Sequence, residues 1–453
     1  MKLTFIWGDF LKNNIKKNRN PIFWVIVILI LFLISCDTQK KTKVAETKEI
    51  TTTKKNNLDL EEQEGEQSNN NKSLDKFSKK LSLSKDDFSD LEFLKETLSD
   101  KRVVMLGESS HGVSEYNAMK TRLIKFLHQE MGYQVLAFES PMADVWTAQQ
   151  TSSQYSSKEL VRRSLFVVWH TKNVDTLYDY IKGSHQSEPP LNLVGFDMQA
   201  PIGAYGVYFK EKYKGTNPEL AMSVYESEIQ FRDLYNRGEL NQEKINSLIK
   251  GYKKIEEMLP DAQNELANFE VHKHFIEDRV KSLEGYYSLP KDSNDRSIIR
   301  DKIMAENLDW LLSELYPDQK IIVWAHNEHI RNNVSNGKKN ASMGELLEQS
   351  GKYSTYTLGL YLVDGDLANN YGEIYSARVF DKNSLEKRIA KSGYPITFLD
   401  INGATEFEEN GWLNDWTTTY IAGRKISSLK PAKNYDGVIV FNEVSPPEYL
   451  IFE

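Results

Sequence analysis

Histidine and carboxylate side chains recur in this sequence where short apolar runs end. One run leads into GESSHG, which places a glutamate three residues before a histidine; later runs end in a glutamate, in an aspartate and in a turn with two histidines. A histidine can take a proton from water near neutral pH because its unperturbed pKa is about 6.5, and a carboxylate on its other ring nitrogen fixes the tautomer. These candidates for acid–base chemistry are Glu108, His111, Glu139, Asp197, His326 and His329.

These side chains can meet only if the runs before them are neighbouring strands. Val103–Leu106 stops at a glycine, and the stretch after it has Tyr116, Met119, Leu123 and Leu127 spaced three and four apart, which predicts an amphipathic helix. Another buried run follows, and two strands that are apolar on both faces around a helix predict parallel pairing. The remaining predicted strands cover 135–138, 191–196, 321–325, 356–361, 396–399 and 438–441.

The predicted fold class is α/β, a mostly parallel central sheet flanked by helices. Residues 203–316 contain helical patterns and no strand candidate, so we expect a helical insertion subdomain between two strands of the sheet. Parallel strands present their carboxyl ends at one edge, where α/β proteins bind ligands, so we expect the candidate residues to face one crevice. The helical patterns lie around 219–236, 240–258, 262–285 and 297–315.

The amino-terminal segment has the pattern of a secretory signal. Basic residues precede an apolar run over 22–34, which at 13 residues is shorter than the roughly 20 that a spanning helix needs. The run ends in LISC and resembles the lipobox of bacterial lipoproteins, in which the cysteine is lipidated. We therefore expect 1–36 to be a lipoprotein-type signal segment and lipidated Cys36 to hold the chain on a membrane of the cell envelope, outside the cytoplasm. An uncleaved amino-terminal anchor is the alternative.

Composition separates a tether from a folded body. Residues 37–79 contain many charges and few large apolar residues, which predicts a disordered tether, and 80–453 are predicted to form the catalytic domain. The net charge of −8 argues against a nucleic-acid partner, since such a protein needs a concentrated basic face. The single cysteine, Cys36, excludes a disulfide framework and a thiolate metal cluster.

Five ordered motifs span most of the predicted folded body, over about residues 85–450. They begin with the stretch from LGESSHG to LAFE at 106–139 and continue with VGFDMQ at 194–199, RDKIMAENL at 300–308, WAHNEHI at 324–330 and DGVIVFNE at 436–443. In this order they resemble the erythromycin esterase family. Known members are esterases that open macrolide lactones, and the family also holds many proteins without an assigned substrate. The resemblance therefore implies an ester or lactone hydrolase and constrains the site more tightly than the substrate.

The resemblance also implies a role for each matching residue. His111 matches the proposed general base, and Glu108 or Glu139 would orient it. His326 and His329 match the two histidines of the WAHNEHI turn, and they would polarise the carbonyl or bind substrate. Hydrolysis would then proceed by attack of an activated water, without a metal ion or cofactor. The expected partner is a small-molecule ester or lactone, with a macrolide as one candidate.

Two positions depart from the family pattern. Lys120 lies where some esterases have arginine, and an ammonium cannot reproduce the bidentate geometry of a guanidinium. Ser109 and Ser110 replace the Ala-Thr pair that is common there, so the contacts with substrate need not match those of the antibiotic-inactivating members. We assign Lys120, Asn327 and Asp197 to the substrate-binding part of the crevice, together with His329.

Three alternatives remain open on the residues alone. The first uses Ser109 as a nucleophile, although GESSHG has a histidine where a G-x-S-x-G elbow has its second glycine. The second is metal-assisted hydrolysis, since three histidines and two glutamates suit a divalent cation by residue type. The third is a non-catalytic, lipid-anchored protein that binds a glycan or small molecule in the crevice. Binding alone does not need three imidazoles that can titrate, which favours an enzyme.

Overall fold

A nine-stranded sheet forms the centre of the molecule. The computed structural model describes residues 74–85, 87–186, 189–332 and 340–452. All of these residues belong to one compact unit, Glu64–Glu453. The strands of the large sheet and of a separate hairpin are β1 (Ser78–Lys80), β2 (Val103–Leu106), β3 (Tyr133–Pro141), β4 (Asn192–Asp197), β5 (Lys320–Trp324), β6 (Thr355–Ala368), β7 (Ile374–Arg378), β8 (Ile396–Asp400), β9 (Thr417–Ile421), β10 (Lys425–Leu429) and β11 (Gly437–Val444).

Most neighbouring strands in the large sheet are parallel, as the sequence predicts. Their order is β1-β8-β11-β6-β2-β5-β3-β4, and β7 pairs with β6 beside this path. The five strand pairs from β11 to β4 are parallel, whereas β8 is antiparallel to both of its neighbours and β7 is antiparallel to β6. The strands β9 and β10 form the separate hairpin. The α/β fold class is therefore confirmed, with antiparallel additions that the buried runs do not reveal.

Helices cover both faces of this sheet. In α2 the predicted stripe of Tyr116, Met119, Leu123 and Leu127 is buried, and the helix ends at Gly132, whose φ of 71° suits a glycine. The α-helices are α1 (Leu94–Thr97), α2 (Ser114–Met131), α3 (Met142–Gln150), α4 (Ser157–Ser164), α5 (Lys172–Ser184), α6 (Ala204–Tyr213), α7 (Pro218–Asn236), α8 (Gln242–Met258), α9 (Phe269–Ser282), α10 (Asp295–Trp310), α11 (Asn327–Ile330), α12 (Met343–Gln349), α13 (Leu385–Ala390), α14 (Ile401–Ala404) and α15 (Pro431–Asn434).

The parallel strands are apolar on both faces because each face has its own core. Val103 and Met105 of β2 belong to the cluster that includes the helices inserted between β4 and β5, while Val104 and Leu106 belong to the cluster that includes α2 and α5. Residues 203–316 contain α6 to α10 and no strand. The helix α6 precedes the predicted helical patterns, and this insertion forms one side of the molecule's larger core cluster.

The described residues just before position 80, the predicted start of the catalytic domain, are part of the fold. Leu74 is buried, Phe77 packs against Phe407, and Ser78–Lys80 pairs with β8. These two apolar side chains stabilise the folded conformation of the last residues of the charged segment. The predicted signal segment, Cys36 and the rest of the tether up to residue 73 lie outside the described residues. Among the described helices, none is long and apolar enough to cross a membrane.

Candidate active site

The strand register aligns four strand ends at one edge of the sheet. Leu106 of β2 lies opposite Trp324 of β5, Trp324 lies opposite Phe138 of β3, and Phe138 lies opposite Gly195 of β4. The residues that follow this row therefore emerge beside one another. They include four of the predicted candidates, Glu108, Glu139, Asp197 and His326.

Glu108 is the buried centre of the first cluster. Its Oε1 lies 2.6 Å from His111 Nδ1 and accepts a hydrogen bond from Trp169 Nε1 at 3.1 Å, while its Oε2 accepts one from Lys120 Nζ at 2.8 Å. Burial alone would raise the pKa of Glu108, but the Lys120 charge and the His111 hydrogen bond lower it below its ordinary value. Glu108 is therefore a carboxylate at neutral pH, and it is the glutamate that orients His111.

Lys120 supports Glu108 from inside the protein. Its side chain is fully buried, and Nζ donates to Glu108 Oε2 and, at 3.2 Å, to the carbonyl oxygen of Ala325. Nζ also lies 4.5 Å from the centre of the Trp324 ring. Burial lowers the pKa of Lys120 to about 8, against the opposing effect of Glu108. The predicted contact of Lys120 with substrate does not fit this position, because the side chain is fully buried and its ammonium is bound to Glu108 and to the carbonyl oxygen of Ala325.

His111 has one ring nitrogen engaged and one available. A carboxylate can only accept, so the 2.6 Å contact with Glu108 requires a proton on Nδ1, and in the neutral ring the lone pair is then on Nε2. The side chain is 17% exposed, which gives the ring access to solvent. The rings of Trp169 and His326 pack edge-on against it at centroid distances of 5.0 and 5.2 Å. This is the tautomer that a general base needs.

His326 has the opposite arrangement. It is the N-cap of α11, where its Nδ1 accepts the backbone N–H of Glu328 at 3.2 Å. Its own backbone N–H donates to Glu139 Oε2 at 2.7 Å, which fixes the turn. Burial, aided by the neighbouring His111, lowers the pKa of His326 to about 3. The ring is therefore neutral with its proton on Nε2, so it can donate a hydrogen bond but cannot act as a base.

A second cluster forms around Arg300 of α10. Its Nη2 donates to Glu139 Oε1 at 2.7 Å and to Asp197 Oδ2 at 2.6 Å, and its Nε donates to Asp197 Oδ1 at 3.3 Å. Burial alone would raise the pKa of Glu139, but His329 and Arg300 lower it well below its usual value. Arg300 thus ties the ends of β3 and β4 to the helical insertion and helps to keep Glu139 ionised.

His329 lies between two carboxylates. Its Nδ1 is 2.7 Å from Asp301 Oδ1, and its Nε2 is 3.3 Å from Glu139 Oε1. Burial opposes a charge on the ring, but Glu139 and Asp301 raise the pKa of His329 to about 10. In contrast, the 2.9 Å contact between Arg300 Nη1 and the same Nε2 would suit a neutral ring that accepts a hydrogen bond. We favour the imidazolium, because Glu139, Asp197 and Asp301 outnumber the one guanidinium.

The charge on His329 makes the stability of the protein depend on pH. A folded-state pKa of about 10 exceeds the unfolded value of about 6.5, so the stabilisation is complete below pH 6.5 and is lost as pH rises towards 10. We expect the free energy of unfolding of the wild type to exceed that of His329→Gln most at low pH. This difference should shrink by up to about 1.4 kcal/mol per pH unit between pH 6.5 and 10. Urea unfolding of both chains measures it, and a constant difference would show that the ring is neutral.

Two further predicted substrate contacts are occupied by the protein itself. Asn327 is buried, its Nδ2 donates to the carbonyl oxygen of Leu360 at 3.0 Å, and its Oδ1 accepts the Leu360 N–H at 3.3 Å. Asp197 is also buried, and both of its carboxylate oxygens bind Arg300. Both residues therefore hold the crevice together rather than line it.

Three residues of the site escape the sequence-based assignment. Trp169 donates to Glu108, Arg300 joins two strand ends, and Asp301 binds His329. Arg300 and Asp301 belong to the motif RDKIMAENL. A charged pair on a helix is most often solvated, so the residue types alone do not predict that these two side chains belong to the site. The packing of α10 against β4 brings the pair to the edge of the sheet where the candidate residues lie.

The two chemical alternatives find less support in this geometry. The Ser109 hydroxyl is buried and lies 2.9 Å from the Tyr116 hydroxyl, beneath the crevice. Within the described residues, no group of three or more His, Cys, Asp or Glu side chains is arranged so that it could hold a metal ion. The Nδ1 atoms of His111, His326 and His329 are each bonded within the protein.

Comparisons with known proteins agree with the motifs. The protein named "Putative hydrolase YbfO" from Bacillus subtilis (strain 168) is 31% identical over 403 residues, which cover 82% of this chain and 90% of that protein. The erythromycin esterase type II of Escherichia coli is 21% identical over 365 residues, which cover 72% of this chain and 87% of that protein. A solved structure of a mutant of the erythromycin esterase EreC in its open conformation has a TM-score of 0.62 at 17% identity, and it covers 83% of this chain and 99% of that one.

The sequence profile of the erythromycin esterase family matches residues 128–444. This match includes the strand ends that carry Glu139, Asp197 and His326, as well as the Arg300 helix. The names of the relatives indicate a hydrolase in general terms. The chain belongs to the erythromycin esterase family.

Proposed function

We propose that this protein hydrolyses a carboxylic ester or lactone with His111 as the general base. Nε2 of His111 takes a proton from water, and the resulting hydroxide attacks the substrate carbonyl carbon. The Glu108 carboxylate, 2.6 Å from Nδ1, stabilises the imidazolium that forms. When the tetrahedral intermediate collapses, the imidazolium returns the proton to the leaving alkoxide, so the products are an acid and an alcohol.

His326 supplies the complementary function in this mechanism. Its Nε2–H donates to the carbonyl oxygen as negative charge develops there, in the manner of an oxyanion hole. The observation that carries the proposal is that the two Nδ1 atoms have opposite partners, a carboxylate for His111 and a backbone N–H for His326, with ring centroids 5.2 Å apart. One ring is held as an acceptor by Glu108, and the other is held as a donor by the N–H of Glu328. Such a pair serves acyl transfer to water and has no evident use in simple binding.

A substrate screen of the full chain tests this proposal. We expect turnover of p-nitrophenyl acetate or of a simple lactone, detected as acid release, and this turnover should be insensitive to a chelator. A macrolide lactone is the third substrate class. Hydrolysis of simple esters but not of macrolides would support the mechanism and exclude macrolides as substrates. No turnover in any class would contradict the proposal, and loss of activity with a chelator would favour metal-assisted hydrolysis.

We also propose that lipidated Cys36 holds the domain at the outer side of a membrane in the cell envelope. The support is the order of basic residues, short apolar run and LISC in the sequence. Replacing Cys36 by serine should abolish metabolic labelling with palmitate and release the protein from the membrane fraction, whereas Ser35→Ala should do neither. Unchanged attachment and processing of the Cys36→Ser chain would instead establish an uncleaved anchor.

A further inference from the structure

A cavity of about 350 Å³ lies in the helical insertion. Small-molecule sites in proteins range from roughly 300 to 1,000 Å³ and are mostly apolar with a few polar groups. The wall of this cavity has that composition. Its apolar and aromatic side chains are Tyr235, Leu240, Ile245, Tyr287 and Leu289.

The cavity lies beside the catalytic edge of the sheet. The Tyr287 hydroxyl accepts the backbone N–H of Ala200 at 2.7 Å, and Ala200 belongs to the segment that leaves the end of β4 after Asp197. Arg296, another residue of the wall, precedes Arg300 by four positions on α10. Side chains spaced in this way lie about 5–6 Å apart on one face of a helix. A ligand that fills the cavity is thus one helical turn from the Arg300 cluster.

Arg296 is a cation without an acidic partner among the described residues. Its Nη2 makes a long hydrogen bond of 3.4 Å to the carbonyl oxygen of Tyr287, and its buried Nε has no hydrogen-bond partner. The guanidinium lies over the ring of Tyr286 at 4.6 Å. The other arginines of the insertion have a carboxylate within salt-bridge distance, namely Arg232, Arg237, Arg279 and Arg300.

A second positive charge lies on the same cavity. Lys291 lines it together with Arg296, whereas no aspartate or glutamate is among its lining residues. An apolar wall with two cations suits a group that is apolar in its body and anionic at one end. A guanidinium and a carboxylate form a strong, charge-assisted hydrogen bond, and a primary amine in the same place would be repelled.

We propose that this cavity binds the remote part of the ester substrate, and that this part is a ring-sized apolar group bearing an anionic substituent. The inference rests on the proposed hydrolase function for its place in catalysis. Binding of a remote group holds the carbonyl against His111 and His326, so it lowers KM and positions the reacting atoms. The cavity then determines specificity, while the strand ends perform the chemistry.

The binding test uses the full chain with 4-phenylbutyrate and 4-phenylbutylamine in titration calorimetry. We expect saturable binding of the acid and binding of the amine that is at least about fivefold weaker. Arg296→Gln should weaken binding of the acid about tenfold, and it should abolish the preference of the protein for the acid over the amine. Arg162→Gln removes an exposed arginine that pairs with Glu159 on α4, and it should leave acid binding unchanged. Ile245→Trp, which fills the cavity, should weaken the binding of both probes. Thermal unfolding checks that this variant is folded.

The turnover test separates this inference from the proposed function. We expect p-nitrophenyl 4-(4-carboxyphenyl)butanoate to have a lower KM than p-nitrophenyl 4-phenylbutanoate, and the difference should vanish in Arg296→Gln. Absent acid binding, equal binding of acid and amine, or binding that Arg296→Gln does not change would each overturn the inference. Acid binding that depends on Arg296, without turnover of any ester, would support the cavity's ligand class and contradict the proposed hydrolase.

Discussion

We expect that replacing His111 by glutamine lowers the turnover of any ester substrate by about 10²–10⁴-fold, or about 3–5 kcal/mol of barrier. Glutamine keeps an N–H that can donate to Glu108, so the buried carboxylate is not left without that partner, but it has no basic lone pair. The side chain is partly exposed, so the fold should tolerate the change. The expected result is a fall in kcat with an unchanged unfolding midpoint, measured with p-nitrophenyl acetate.

Ser109→Ala is the matched control for this variant. It lies in the same GESSHG turn and removes the one hydroxyl that a covalent mechanism would use. Because its Oγ bonds to the Tyr116 hydroxyl in the interior, we expect a small loss of stability and activity within a few-fold of the wild type. Loss of activity in Ser109→Ala together with its retention in His111→Gln would overturn the mechanism and make the serine the nucleophile.

Replacing His326 by asparagine lowers kcat by about 10²–10³-fold, the effect of removing one oxyanion donor. Asparagine is a good N-cap residue, so its oxygen can accept the Glu328 N–H in place of Nδ1 and α11 should remain intact. What is lost is the Nε2–H. The measurement is kcat and KM on the same ester, and we expect the effect in kcat because the donor acts on the transition state.

The pH profile supplies a second readout for His326. With a pKa of about 3, the ring stays neutral throughout the range in which the protein can be assayed, so it should add no titration to the profile between pH 5 and 9. The wild type and His326→Asn should therefore have profiles of the same shape and different height. A profile whose acid limb disappears in His326→Asn would show that this ring, rather than His111, is the base.

The sequence contains enough information to place the chemistry at one edge of a parallel sheet. Each strand that ends at the candidate site is a short buried run. An amphipathic helix such as α2 lies between two of these runs, and the spacing of its apolar residues distinguishes the helix from the strands. The polar residue at each run's end is then aligned by register alone, as for Glu108 and Glu139. The strands β1, β7, β9 and β10 escape prediction because they are short and partly exposed, and β1 in addition pairs with β8, which is distant in the sequence.

The details of the site depend on contacts that spacing does not encode. The sequence leaves open which glutamate orients His111, and the structure answers with Glu108, because Glu139 turns towards Arg300 and the His326 turn. Lys120 is a basic residue on an amphipathic helix, where exposure is the usual outcome. Here Lys120 is buried with the apolar stripe of α2, and its ammonium donates to Glu108. The charge of the residue and the periodicity of the helix alone do not distinguish an exposed lysine from a buried one.

The register that aligns the strand ends also determines when the protein becomes active during folding. The strands β2 and β5 are neighbours in the sheet, yet the whole helical insertion separates them in the sequence. The pairing of His111 with His326 therefore waits for a long-range contact, which forms slowly because a long loop must close first. In a refolding experiment, helical signal should return before hydrolytic activity. No fragment that ends within the insertion should have activity, since it carries only one of the two imidazoles.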